Sequence, residues 1–514
     1  MNATKQSKLG LVVAGLLLGI LMAAMDNTIV STAIGTIVHD LGGLDKFVWV
    51  TSAYLVASMA GMPIFGKLSD MYGRKRFFIF GLIVFLAGSM LCGIAQSIEQ
   101  LAIYRAIQGI GGGALMPIAF TIMFDLFPPQ ARGKMSGLFG AVFGTSSIFG
   151  PLLGAWITES ISWHWVFYIN VPVGIVSLIL IATAYKESLQ HTKQSIDWLG
   201  AFTLVGAVVC LMFGLEFGGN QYAWDSAQII GLFAGFAVLF IAFLIAETKA
   251  KEPIISFSMF KRRTFATSNA VGFFYGAAFI VATVYIPIYV QGVLGGSATN
   301  SGLILLPMTV GSVVAAQVGG GLATKFPYRN VMTVSAIIML AGIYLLGTIS
   351  TDTTRSMLTI YMILTGLGVG FSFSILSMSA IEGFSMRERG SASSTNTFMR
   401  TLGMTLSVSV YGIVQRNLFT DKMSDAFAGM GSAGGGNQFG NDPRALLSPE
   451  TRAHIPPQIL DKITDALSSS IAHTFLWTLV PAALALVFVL LMGNARLNRG
   501  QAAQGQPQPQ PPAH

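Results

Sequence analysis

Apolar runs of bilayer length recur fourteen times along this chain, each closed by a short polar stretch. They fall near 9–38, 48–65, 77–96, 100–124, 134–157, 164–184, 198–219, 227–246, 265–291, 299–322, 330–349, 357–381, 391–415 and 471–494. A bilayer core takes about 20 helical residues, so each run predicts one spanning helix. The first continues past Asp26 to Val38, too long for the apolar core of a signal peptide, and is expected to stay as a span. The longest polar interval, 416–470, holds the Gly-rich GMGSAGGGNQFGN and then PPQILDKITDALSSSIAHTF. In the latter, Ile459, Leu460, Ile463, Leu467 and Ile471 keep helical spacing, which predicts an interfacial helix feeding the last span. The tail, 496–514, ends in GQPQPQPPAH and is expected to be disordered.

Composition agrees: 53% of the 514 residues are hydrophobic and 10% charged, against about a quarter charged in soluble domains. The net charge of +8 raises the question of nucleic acid, and its distribution answers it. If the N-terminus is inside, 21 of the 30 basic residues fall in inner segments, with dense groups at Lys67, Arg74, Lys75, Arg76 and at Lys261, Arg262, Arg263. The short outer loops hold only Lys46 and Arg355. That asymmetry is an orientation signal, so both termini are expected on the cytoplasmic side and nucleic acid drops out. Cys92 and Cys210 lie far apart and the six histidines are scattered, which offers neither a disulfide framework nor a metal site.

A weak repeat organises the spans. GKLSDMYGRKR, Gly66 to Arg76, follows the second, and GGLATKFPYRN, Gly320 to Asn330, follows the tenth. Thr324 stands where the first copy has Asp70, and Tyr328 where it has Arg74. Six spans within 1–190 and six within 265–495 then form two bundles, with two spans inserted across 191–264.

Several motifs carry a resemblance. LAIYRAIQGIGGG (Leu101 to Gly113) lies on the fourth run and GLFGAVFGTSSIFGPLLGA (Gly137 to Ala155) on the fifth; MDNTIVSTA precedes them and WHWVFYINVPVG follows. IPIYVQGVLGGSATNSGLILLP and NTFMRTLG come later. With GKLSDMYGRKR, these resemble, in order and on the matching spans, the fourteen-span drug:H+ antiporters of the major facilitator superfamily. Departures exist: Ser31, Thr32 and Gly35 in the first motif, and Ser146 and Ala155 in the fifth-span motif, where glycine is usual. The resemblance implies an all-α integral membrane protein of major facilitator fold, fourteen helices as two six-helix bundles plus two inserted ones. It also implies a proton-coupled exporter of small amphipathic compounds, working by alternating access in the cytoplasmic membrane of a bacterium.

Residue by residue, Gly66, Asp70, Gly73 and Arg74 with Asp125 would latch the two halves. Gly137, Gly150, Pro151 and Gly154 would form the antiporter motif, with Pro151 bending its helix where one bundle meets the other. Asp26 is the most informative residue. A carboxylate at mid-bilayer costs about 2.5–3.5 kcal/mol, so it must face protein or a water-filled cavity. Gly19, Met22, Ile29, Val30 and Ala33 share its helical stripe and would surround it with apolar wall, which favours proton uptake. Arg105 would oppose that shift. Two roles follow: alternate pairing with Arg105 and a proton, or a permanent ion pair joining spans one and four. Glu216, near the outer end of span seven, is the second carboxylate to consider.

Candidate cavity residues are Met22, Gln108, Tyr275, Phe279, Tyr285, Tyr289, Asn396 and Arg400, the tyrosines chosen by position alone. Spans two and ten carry no acid and span thirteen carries Arg400, which speaks against dicationic substrates. No Walker motif or nucleophile elbow is present, so neither ATP hydrolysis nor covalent chemistry is expected; the protein is no enzyme and needs no cofactor beyond the proton. Its partners would be small substrates, protons and membrane lipids, and a monomer is the expectation. A dedicated exporter of one metabolite, peptide, siderophore or lipid is the alternative on the same fold, and a transport-incompetent sensor signalling through 416–470 is a third reading.

Overall fold

The structure is a computed structural model describing residues 3–42, 48–187, 196–219, 221–296, 298–427 and 455–496. Helices account for nearly all of it. In chain order they are α1 (Ala3–Leu41), α2 (Val48–Tyr72), α3 (Arg74–Cys92), α4 (Ile98–Leu126), α5 (Pro129–Ser160), α6 (Trp165–Tyr168), α7 (Asn170–Ala184), α8 (Trp198–Phe217) and α9 (Ala227–Lys249). Then come α10 (Phe257–Phe260), α11 (Arg263–Gly292), α12 (Ala298–Leu322), α13 (Tyr328–Leu346), α14 (Arg355–Ile381), α15 (Arg389–Phe427) and α16 (Pro457–Leu490). Starts are marked by side-chain caps: Ser97, Asp197, Ser226 and Thr354 each accept a backbone N–H three residues on. Among the described residues, thirteen helices are long and apolar enough to cross a membrane. The fourteenth expected span is α15. It is too polar for that criterion because it spends its polarity on protein: Ser391, Ser393, Ser394, Thr395, Asn396 and Thr397 are all buried.

In one half α1 packs on α5 and α7, and α4 is flanked by α2 and α3. In the other α14 is flanked by α12 and α13, and α11 lies between α15 and α16. The halves meet where α5 crosses α12 and α2 crosses α15. The inserted pair, α8 and α9, leans on α2 through α8, with the Trp49 ring tilted against Phe213 and Phe217 at centroid distances of 5.7 and 5.6 Å.

The repeat runs deeper than the two loops. A Cβ at Gly109 or Gly113 would strike the carbonyls of Tyr54 or Ser58; a Cβ at Gly366 or Gly370 would strike those of Met308 or Ser312. A Cβ at Gly88 would sit 2.5 Å from the Gln108 nitrogen, and one at Gly342 2.7 Å from the Thr365 nitrogen. Backbone-to-backbone approach of this kind leaves no side chain to yield. Gly88→Ala and Gly342→Ala are therefore expected to destabilise by similar amounts, about 1–3 kcal/mol each, read as matched losses of melting temperature.

Two expectations need correction. The outer interval is shorter than 416–470, because α15 runs on to Phe427 and α16 begins at Pro457; the Gly-rich stretch lies outside the described residues, as does nearly all of the tail. The predicted interfacial helix is instead the first part of α16, continuous with the last span. Ile463, Leu467 and Ile471 are fully buried against Tyr285, Tyr289 and Phe419 rather than lying in a lipid surface.

Candidate functional site: a buried ion-pair network and an inter-bundle latch

Asp26 sits near the middle of the long α1 and is wholly buried. Four elements converge on it. Arg105 and Gln108, three residues apart on α4, share one face of that helix. The Arg105 Nη1 pairs with Asp26 Oδ2 and donates to Gln108 Oε1 at 2.7 Å. Gln108 Nε2 and Asn170 Nδ2 both donate to Asp26 Oδ1, at 2.8 and 2.9 Å. Asn170 comes from the start of α7 and also reaches Ser89 Oγ at 3.0 Å. The remaining guanidinium nitrogens of Arg105 go to the Val50 carbonyl and to Asn27 Oδ1, both at 3.2 Å. Tyr54 of α2 lies against the cation, 4.3 Å from its ring centroid. Both charges are thus desolvated, paired and hydrogen-bonded, the arrangement a buried ion pair requires. Asn170, Ser89, Tyr54 and Val50 were not anticipated from sequence; the one signal was an asparagine inside the apolar FYINVPVG run.

The latch is built at the α2–α3 turn. Gly73 adopts φ +109°, which lets α3 begin one residue after α2 ends and turns Arg74 back on Asp70 at 3.2 Å. Asp70 then accepts the backbone N–H groups of Gly390 and Ser391, at 2.9 and 2.7 Å, at the start of α15 in the other half. A carboxylate at a helix N-terminus is favoured by the dipole as well as the donors. Arg74 also pairs with Asp125 and donates to the Met386 carbonyl, while Arg389 reaches Asp125 at 3.2 Å. Gly66 packs directly on Ser394, with no room for a Cβ.

In the second repeat Tyr328 takes the place of Arg74 and Glu382 that of Asp125; the Tyr328 hydroxyl donates to Glu382 at 3.2 Å. Beside them, burial and the nearby Arg389 lower the Arg132 guanidinium to about 10, with Glu382 and Tyr328 opposing. Glu388 accepts from the Ser385 backbone and hydroxyl.

A strap from the inserted pair joins this latch. Glu247, at the end of α9, accepts the N–H groups of Ile254 and Ile255, both at 3.2 Å. The same segment carries Glu252, paired with Lys67 at 2.7 Å, and the Ile254 carbonyl, which accepts from Ser391 at 3.0 Å. Glu247→Ala should release it: amide exchange at Ile254 and Ile255 should rise by about tenfold or more, as two buried N–H groups lose their acceptor. Hydrogen–deuterium exchange by mass spectrometry reads this directly.

The antiporter motif divides. Gly137 faces Gln317, and a Cβ on Gly144 would sit 2.5 Å from Thr309, both on α12 across the halves. Gly150 and Gly154 instead take Thr28 and Thr32 of α1.

The cavity residues also separate. Met22 is buried beneath Gly174, and Gln108 belongs to the ion-pair network. Tyr275 is tied to Ser335 at 2.9 Å and Tyr289 to the Ser350 carbonyl at 2.6 Å, so both brace the second bundle. Tyr285 is buried in the same cluster as Tyr289, and Asn396 donates to the Ser268 carbonyl of α11 at 3.3 Å. Phe279 and Arg400 alone of that set remain half-buried. Glu216 lies half-buried on α8.

Two bundles related by an internal repeat and joined by an ionic latch, with a separate ion pair buried inside the first bundle, define a class of membrane carrier. The chain belongs to the Major Facilitator Superfamily, whose family model matches residues 16–408. It is 61% identical over 498 residues to Multidrug resistance protein 3 of Bacillus subtilis (strain 168), covering 96% of this chain and 97% of that one. It is 38% identical over 520 residues to Multidrug transporter protein MdtP of the same organism, covering 98% and 96%. Among solved structures, the proton:xylose symporter XylE matches with a TM-score of 0.60 at 16% identity, over 94% of this chain and 95% of that one, a likeness of fold alone.

Proposed function

We propose that this chain is a proton-coupled antiporter that exports lipophilic or amphipathic compounds by alternating access, multidrug efflux in the manner its relatives' names describe. The single observation that carries the coupling is the Asp26–Arg105 pair, sealed inside the membrane span and closed by Gln108 and Asn170. Protonating Asp26 removes the anion that holds Arg105, so the pair cannot persist unchanged through a proton-binding cycle. The latch at Asp70 supports a conformation closed at that end, which the positive-inside pattern assigns to the cytoplasm. Both termini would then be cytoplasmic, residues 1–190 and 265–495 the two moving bundles, and 191–264 the inserted pair.

The test is transport in proteoliposomes with an imposed pH gradient, using ethidium as a lipophilic monocation. Exchange of one such cation for one proton is electroneutral, so ΔpH should drive uptake and a potassium diffusion potential alone should not. No ΔpH-driven movement of ethidium would sink the reading. Competition by only one class of compound would favour the dedicated exporter.

A further inference from the structure

Arg400 is the one charged side chain in the apolar interior of the second half without a counter-charge among the described residues. It lies eleven residues beyond Arg389 and sixteen before Arg416 on α15, about 16 and 24 Å along the helix, too deep to reach either interface. Its Cβ passes over Gly272 of α11, where a Cβ would approach it to 4.0 Å. The guanidinium then rests against Phe373 of α14, 5.1 Å from the ring centroid. Phe279 of α11 meets Phe373 edge to face, with centroids 6.1 Å apart and planes at 89°. Arg400, Phe373 and Phe279 are all half-buried, so this face is not sealed.

The contrast with Arg105 is chemical. Every nitrogen of Arg105 donates to a protein acceptor. Among the described residues no acceptor meets the Arg400 guanidinium, and the aromatic contact consumes none of its five N–H donors. An arginine within a membrane span calls for a partner, and the protein supplies a ring but no anion. Asp26 is already committed to Arg105, so the uncompensated charge is positive.

We propose that Arg400, Phe373 and Phe279 form a subsite for the anionic group of an aromatic substrate, a carboxylate or sulfonate borne on a planar ring. The inference rests on the export reading above and adds an anion-bearing aromatic class to its substrates. The guanidinium fork accepts a carboxylate through two parallel N–H bonds, and the two phenylalanines stack on the attached ring. Arginine is needed for the fork; lysine offers only a point charge.

The experiment measures binding of 1-pyrenebutyrate and of its neutral amide to the full chain in nanodiscs by fluorescence, subtracting empty nanodiscs. Ethidium transport is followed on the same preparations. Wild type is expected to bind the carboxylate at least tenfold more tightly than the amide. Arg400→Met should erase that preference. Arg400→Lys should keep part of the preference, and Phe373→Leu should weaken both ligands alike. Equal binding of the two ligands by wild type overturns the proposal without any variant, as does a preference that survives Arg400→Met. Failure of the export reading shows separately, as wild type that does not move ethidium. If Arg400→Met does not fold, wild type and Arg400→Lys decide: a lysine variant with the full wild-type preference excludes the fork.

Discussion

Asp26→Asn is expected to abolish ΔpH-driven transport while leaving ethidium exchange across the membrane measurable. The carboxylate accepts from Arg105, Gln108 and Asn170, and all of these donors are buried. Asparagine can still accept through its carbonyl oxygen, but it cannot gain or lose a proton. It also leaves Arg105 as a buried cation without its anion, and breaking such a pair costs about 3–5 kcal/mol. A single variant therefore confounds lost coupling with lost stability. The double variant Asp26→Asn, Arg105→Gln separates them because it leaves no lone charge. Melting should recover toward wild type, and ΔpH-driven uptake should remain absent. If the double variant responds to ΔpH, the Asp26–Arg105 pair is only a tie between α1 and α4, and Glu216 becomes the next carboxylate to test.

Asp70→Ala is expected to open the latch end of the molecule. Two hydrogen bonds from Gly390 and Ser391 to a charged acceptor are lost, along with the Arg74 pairing. Hydrogen bonds to charged groups contribute about 1.5–3 kcal/mol each, so the closed state should lose at least about 3 kcal/mol, a hundredfold shift in population. Spin labels at Arg76→Cys and Arg387→Cys, exposed on opposite sides of the latch, should report it. The variant's distance distribution should gain a dominant longer component, and transport should fall. An unchanged distribution would show that the Gly66–Ser394 packing closes this end by itself.

Much of this was legible in the sequence, for identifiable reasons. Apolar runs mark lipid-facing helices because lipid accepts only apolar side chains; that is why α9, mostly exposed, was the plainest of all. Asp26 and Arg105 stood out because charge in such a run demands a partner. Gln108 was within reach, sitting one turn from Arg105 on the same helix face. Asn170 and Tyr54 were not, since nothing along the chain says that α7 and α2 close the same pocket. Tyr275 and Tyr289 were misplaced because period alone gives a face but not whether that face meets a cavity or a serine in the next helix. The Tyr328–Glu382 pair escaped because the repeat was traced through two loops only, and its second half lies on α14's far end. The limits of α15 and α16 were blurred by polarity that tertiary packing absorbs.

The polarity of α15 has a bearing on how the protein is made. A segment of serines, threonines, asparagine and arginine that finds its partners on α2 and α11 is a poor candidate to leave the translocon for lipid alone. Insertion scales charge about 2.5–3.5 kcal/mol for an arginine at a helix centre, before the hydroxyls are counted. Assembly must therefore hold α15 until the earlier helices can receive it, with α16 entering at its side. Membrane integration is then coupled to bundle closure, and substitutions on α2 or α11 that merely loosen packing should appear first as α15 left outside the bilayer, in the accessibility of a cysteine placed along it to an impermeant reagent.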